Sequence, residues 1–420
     1  MKIIPLAHPP RATVHVPGSK SLTNRALLIS ALAHGNTRLT NALFSDDSCY
    51  FARALKTLGF DVQLDESSRE ITVTGLGGSI PSLKAELFIG NAGTAARFLS
   101  AFLTLGNGEY LLDGDARMRE RPIGDLIDAL VQLGAEIEAS DNCPPIKISA
   151  SGLPGGKARI SGNISSQFLS ALLMVAPYAK SPVEIEVTTE LSSKPYVDMT
   201  IAMMRDFGVK VERHAYDRFM IQPSFFSSYS SYQIESDASA ASYFFAVPAI
   251  CGGTVRVANI SRNSKQGDIA FLDILQQMGC IINEGDTFIE VSGTGTLSGV
   301  DVNMSDIPDT AQTLAAIAPF AASATRIWGI ASARVKETDR VHAMCSELAR
   351  LGVRVEEHQD GMTIYPTNNM LSAVIQTYND HRMAMAFSLI GLRFDGVTID
   401  NPACVSKTFP NYFEVLDKLR

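Results

Sequence analysis

A segment of about seventy residues recurs six times along the chain, and no other feature restricts its fold as strongly. Its clearest mark is a helix tail, a glycine and a strand start. It reads Leu58-Gly59-Phe60-Asp61-Val62, Leu133-Gly134-Ala135-Glu136-Ile137, Phe207-Gly208-Val209-Lys210-Val211, Met278-Gly279-Cys280-Ile281-Ile282 and Leu351-Gly352-Val353-Arg354-Val355. The glycines lie 75, 74, 71 and 73 residues apart. Each stands where a helix C-terminus needs a left-handed residue, and the alternation after it suits a strand. A polar loop leading into a small-residue apolar helix recurs six times, marked by Lys20, Asn91, Ser166, Asp237, Asp309 and Asp380. Helices apolar on most faces, such as those predicted over 168–176 and 383–392, must be largely buried.

A third element, a more amphipathic helix, is entered through a charged loop. The six entries are Asp46-Asp47, Arg119-Glu120-Arg121-Pro122, Lys194-Pro195-Tyr196, Lys265-Gln266-Gly267-Asp268, Arg334 to Arg340, and Lys407-Thr408-Phe409-Pro410. Pro122 and Pro410 suit a first helical turn, Asp46-Asp47 suits an N-cap better than a metal site, and Thr338 or Asp339 would cap the fifth helix. The sixth unit lacks strands at its end, so the segments Ile3–Leu6 and Thr13–Val16 are expected to complete it. Six units can form one closed array or two three-unit domains. Pro223–Tyr232, rich in Ser and aromatics, is the best linker candidate, and it gives domains of 1–18 with 234–420 and of 19–233, with crossovers near 18 and 233. The arrangement predicts helix N-termini gathered at one end of each domain, facing a common cleft. Lys20, Arg25, Arg121, Lys194, Lys265, Lys336, Arg340, Arg382 and Lys407 would enter that cleft, where helix N–H groups and guanidinium forks suit phosphate and carboxylate ligands.

Composition narrows the classes. With 46% hydrophobic and 19% charged residues, 420 residues in all, the chain can bury two to three cores. A net charge of −8 argues against a general nucleic-acid surface. No apolar run approaches a membrane span. Met1–Ala7 does not read as a signal peptide, so a cytoplasmic protein is expected. Six scattered cysteines without Cys-x-x-Cys indicate neither zinc nor disulfides, and buried reduced thiols are expected. Gly18-Ser19-Lys20-Ser21 lacks the residue order of a P-loop. Asp309 and Glu337, carboxylates among cations, suit general acid or base work.

The long motifs Val16 to Arg25, Gly90 to Thr94, Arg119 to Gly124, Ser165-Ser166-Gln167, Arg334 to Arg340 and Asp380-His381-Arg382 resemble, in this order, the 5-enolpyruvylshikimate-3-phosphate synthase family. The resemblance implies an α/β fold of two domains joined by a double crossover. Each has three βαβαββ units with buried helices and outer sheets, an inside-out α/β barrel. It also implies transfer of the enolpyruvyl group of phosphoenolpyruvate to the 5-hydroxyl of shikimate 3-phosphate, with release of phosphate, on the route to chorismate and the aromatic amino acids. No cofactor and no metal are implied, and a monomer is expected. By the same resemblance, Lys20, Ser21, Arg25, Ser165, Ser166, Gln167, Ser193, Tyr196, Asp309 and Lys336 would hold shikimate 3-phosphate. Lys20, Gly93, Arg121, Gln167, Arg340, Arg382 and Lys407 would hold phosphoenolpyruvate, and Lys20, Asp309 and Glu337 would move protons. Ser332 stands where the family usually has asparagine, which alters one expected contact to shikimate 3-phosphate. Two other readings are open: a sister enzyme acting on UDP-N-acetylglucosamine, whose usual cysteine is missing from Asp115–Pro122, and a two-lobed anion-binding protein without catalysis.

Overall fold

The computed structural model describes residues 1–420, which divide into two compact units, Gly18–Glu235 and Met1–Pro17 with Ser236–Arg420. In the Gly18–Glu235 unit, three four-stranded sheets surround three apolar helices. The helices are Lys20–Leu32, Gly93–Leu103 and Ser166–Val175, and nearly every residue in them is buried. Burial decides where they go: each enclosed Leu, Ile or Phe contributes ~1.5–3 kcal/mol. A cap contributes only ~1 kcal/mol, so it sets where a helix starts. Ser19 caps the first helix and Ser165 the third, accepting from Leu22 N and Gln167 N.

Each sheet repeats one pattern, a parallel pair followed by two antiparallel pairings. In the second unit of the repeat, Lys84–Phe88 lies parallel to Asn107–Asp113, which pairs antiparallel with Ile146–Ser151 and so on to Glu136–Ala139. The third repeats it with Gly156–Ile160, Val183–Val187, Arg218–Ile221 and Glu212–His214. Strand Glu70–Leu76 buries every second residue, which leaves one sheet face outside. The five spaced glycines, Gly59, Gly134, Gly208, Gly279 and Gly352, all have positive φ, as the helix-ending geometry requires.

The other unit is built alike on buried helices Ala238–Cys251, Ala311–Ile317 and His381–Arg393. Its strands correct one expectation. Strand Arg11–Val14 does not complete the sixth repeat; it lies parallel to Thr254–Val257 in the sheet of the fourth. The strand preceding the fourth repeat's buried helix, Tyr232–Gln233, pairs with Leu39 and Thr40 of the first. The two strands that precede the crossovers have therefore exchanged sheets. The sixth repeat's two strands, Ala373–Ile375 and Val397–Ile399, are extended only by the first residues of the chain, through a Lys2–Thr398 bridge and a bond from Ile3 N to Val397 O.

Local differences have simple causes. Pro223–Tyr232 is a packed segment, since Phe226 is buried and Tyr229 and Tyr232 lie 5.0 and 4.8 Å from the Phe207 ring. The chain passes between units after it, at Glu235. Pro122 and Pro410 precede their helices, which start at Gly124 and Tyr412. Of the six cysteines, all free, Cys49, Cys143 and Cys251 are only half-buried. No helix is long and apolar enough to cross a membrane.

Candidate active site

In the Gly18–Glu235 unit most of the assigned residues sit at the starts of the buried helices, while Arg121, Ser193 and Tyr196 lie at the entries to helices Gly124–Gln132 and Lys194–Asp206. Arg25, one turn into its helix, is 1% exposed. Its Nη1 donates to Ser21 O at 2.9 Å, and its Nη2 to Tyr196 O at 3.3 Å. All its acceptors are neutral. Burial, countered only weakly by the Tyr196 hydroxyl, pushes the guanidinium down to about 10. Ser193 has a left-handed backbone, φ 57°, and its carbonyl accepts from Tyr196 N, so it turns the chain into helix Lys194–Asp206.

Arg121 is likewise buried, and its Nη1 donates to Asn91 O at 3.2 Å and Asn91 Oδ1 at 2.8 Å. Its Nε has no protein partner. Gly93 allows this position: a Cβ there would stand 2.4 Å from Arg121 Nη2. Gln167 donates to Thr94 Oγ1 at 3.4 Å, which ties the second and third helix starts together, and Ser166 is buried beside it. Lys20 Nζ lies 3.3 Å from Asp47 Oδ2, a carboxylate that is 2% exposed. The cap of helix Asp46–Thr57 is Ser45, so Asp47 is an ion-pair partner rather than a cap.

The remaining assigned residues belong to the other unit, where Asp309 gathers three cations. Its Oδ1 accepts from Lys336 Nζ at 2.5 Å and Arg340 Nη1 at 3.2 Å, and its Oδ2 from Arg382 Nη2 at 2.9 Å. Arg340 also donates to Glu337 Oε2 at 2.8 Å and to Asp380 Oδ2 at 2.7 Å. Burial alone would raise the Asp309 carboxyl, but Arg382, Lys336 and Arg340 outweigh it and hold it well below the usual carboxylate range. Burial lowers the Lys336 ammonium, Asp309 partly restores it, and Arg340 lowers it further. Arg340 is raised, because Asp380, Glu337 and Asp309 exceed the effect of burial. Asp339 caps helix Arg340–Arg350 through His342 N at 3.0 Å and pairs with Arg334 at 2.8 Å. Lys407 is buried at the end of the short helix Pro402–Lys407. Ser332 Oγ is buried without a hydrogen-bond partner.

The family model of EPSP synthase (3-phosphoshikimate 1-carboxyvinyltransferase) matches residues 7–416. The chain belongs to the EPSP synthase family. It is 51% identical to the 3-phosphoshikimate 1-carboxyvinyltransferase of Sulfurovum sp. over 410 residues, covering 97% of this chain and 96% of that one. It is 50% identical to that of Shewanella denitrificans, with the same coverage. The solved structure of EPSP synthase from Acinetobacter baumannii matches it with a TM-score of 0.82 at 25% identity, over 100% of this chain and 97% of that one.

Within this EPSP synthase family member, two acidic residues without an assigned role from sequence prove structural to the site. Asp380 is fully buried, bridges Arg340 to the start of helix His381–Arg393 by accepting from Arg382 N at 2.9 Å, and lies 3.4 Å from His381 Nδ1. Asp47 carried a usable signal: the first unit has acids where most other entry loops have cations, and its partner Lys20 opens the preceding helix.

Proposed function

We infer that this chain transfers the enolpyruvyl group of phosphoenolpyruvate to the 5-hydroxyl of shikimate 3-phosphate, releasing phosphate. The observation that carries this reading is the Asp309 cluster, in which two carboxylates suited to proton transfer share cations suited to an anion. Arg340 and Arg382, with Lys20, Arg121 and Lys407, supply the charges for the phosphate and carboxylate of phosphoenolpyruvate, and Gly93 and Gln167 border it. Shikimate 3-phosphate takes Ser21, Arg25, Ser165, Ser166, Gln167, Ser193, Tyr196 and Lys336, with Lys20 and Asp309 at its edge.

The chemistry follows from charge balance. Three cations, Lys336, Arg340 and Arg382, face three carboxylates, Asp309, Glu337 and Asp380. An arriving phosphate and carboxylate compete for Arg340 and Arg382. That competition weakens the hold of the cations on Asp309, which gains basicity, and leaves Glu337 to serve as the acid. Glu337 then protonates the methylene carbon while Asp309 accepts the proton of the attacking 5-hydroxyl, and a tetrahedral intermediate forms. Return of a methyl proton to Glu337, with the proton held by Asp309 passed to the departing phosphate with the help of Lys20, regenerates the double bond and both carboxyl groups. Oriented anion clamps supply the positioning that two reactants need.

The test is phosphate release from phosphoenolpyruvate with each acceptor in turn. Release with shikimate 3-phosphate and none with UDP-N-acetylglucosamine is expected. Silence with shikimate 3-phosphate would remove the reading.

A further inference from the structure

Arg25 is a buried cation whose orientation is set in part by two residues outside the proposed substrate contacts, Thr200 and Ser170. A guanidinium has five N–H donors. Four bonds leave Arg25: Nε to Thr200 Oγ1 at 2.7 Å, Nη1 to Ser21 O at 2.9 Å, and Nη2 to Ser170 Oγ and Tyr196 O, both at 3.3 Å. The shortest goes to Thr200. That hydroxyl is itself fixed, 2.9 Å from Ser170 Oγ and 2.8 Å from Tyr196 O one turn earlier. Thr200 and Ser170 are fully buried, on helices Lys194–Asp206 and Ser166–Val175, while Arg25 stands on Lys20–Leu32. The Phe98 ring, 5.3 Å from Cζ, packs against the guanidinium from a fourth helix.

We propose that Thr200 is a positioning residue for the shikimate 3-phosphate site, one that locks the plane of Arg25 through Nε and so leaves an Nη1 hydrogen for the substrate anion. The proposal rests on the assignment of Arg25 to that substrate. With Nε and both Nη2 hydrogens bonded to neutral oxygens and one Nη1 hydrogen bonded to Ser21 O, a single donor remains without a protein acceptor. Its direction depends on the ring of bonds behind it, because a guanidinium is planar and rotates as a whole. Removing the Thr200 oxygen frees that rotation without taking a charge away. A carboxylate at position 200 would hold Nε equally well but would neutralise the cation. A hydroxyl fixes it and leaves its charge for the ligand.

Thr200→Val keeps the shape and deletes the acceptor. Its KM for shikimate 3-phosphate is expected to rise about tenfold, as for loss of one charge-assisted bond, with kcat and the KM for phosphoenolpyruvate within about twofold of the parent. Thr200→Ser, which keeps the oxygen, should restore the affinity. Equal changes in both KM values, a change in melting temperature alone, or no recovery in Thr200→Ser would overturn the proposal. Arg25→Gln separates this from the underlying assignment. If Arg25→Gln leaves shikimate 3-phosphate affinity intact, the assignment of Arg25 fails. If Arg25→Gln loses affinity and Thr200→Val does not, only the positioning role fails.

Discussion

Arg25 of the Gly18–Glu235 unit and Arg340 of the other unit are both almost wholly buried, at 1% and 2% exposure, yet their partners differ in kind. Arg25 touches hydroxyls, backbone carbonyls and an aromatic face. Arg340 touches Asp309, Glu337 and Asp380. An uncompensated buried charge costs several kcal/mol, and a paired one much less. In the Gly18–Glu235 unit Arg25 therefore has no carboxylate to balance it, and Arg121, which donates to Asn91, is of the same kind. The other unit carries cations already balanced, so its carboxylates are the groups whose protonation a ligand can change. On the proposed function, the first arrangement suits the binding of an anion and the second the movement of protons.

Substitutions can break this contrast. The largest effect is expected in the balanced cluster: Asp309→Asn or Glu337→Gln should lower kcat about 10²–10⁴-fold while shikimate 3-phosphate, titrated calorimetrically, still binds. Loss confined to binding would erase the distinction. A smaller effect is expected at Gly93→Ala. The new Cβ meets the far end of Arg121, at 2.4 Å from Nη2, and not backbone, so the guanidinium retreats and the fold remains. The KM for phosphoenolpyruvate should rise about tenfold, equivalent to roughly one lost charged bond, with an unchanged melting temperature. An unchanged KM would show that Arg121 is not an anion ligand.

The smallest effect is on acid stability. Because the Asp309 carboxyl is depressed in the folded protein, its contribution is complete above the unfolded value of about 3.9. That contribution is lost as pH falls through the folded value. Urea midpoints should therefore fall more steeply below about pH 5 in the parent than in Asp309→Asn. Parallel slopes would mean that the carboxylate is not held by its cations.

The sequence makes the repeat and the helix starts legible because both rest on local chemistry. A glycine at a left-handed helix end and a Ser or Asp at a cap act within a few residues. The exchange of Arg11–Val14 and Tyr232–Gln233 between sheets was not legible, since alternation marks a strand but not its partner. Nor was the packing of Pro223–Tyr232, where serines suggest a linker and the aromatic rings decide otherwise. The charges of the site could be read residue by residue. Which of them are balanced could not, because Asp309 and Arg382 are brought together from helix starts 73 residues apart.

The strand exchange also bears on synthesis. Arg11–Val14 leaves the ribosome before its neighbour Thr254–Val257 exists, and the whole Gly18–Glu235 unit is made in the interval. All the strands of that unit's three sheets precede Ser236, so these sheets can pair while translation continues. The flanking segments remain incomplete until the polypeptide returns with Ser236 and beyond. Asp237 N then reaches Pro17 O at 2.9 Å, and the early segment is closed into its sheet by the late one.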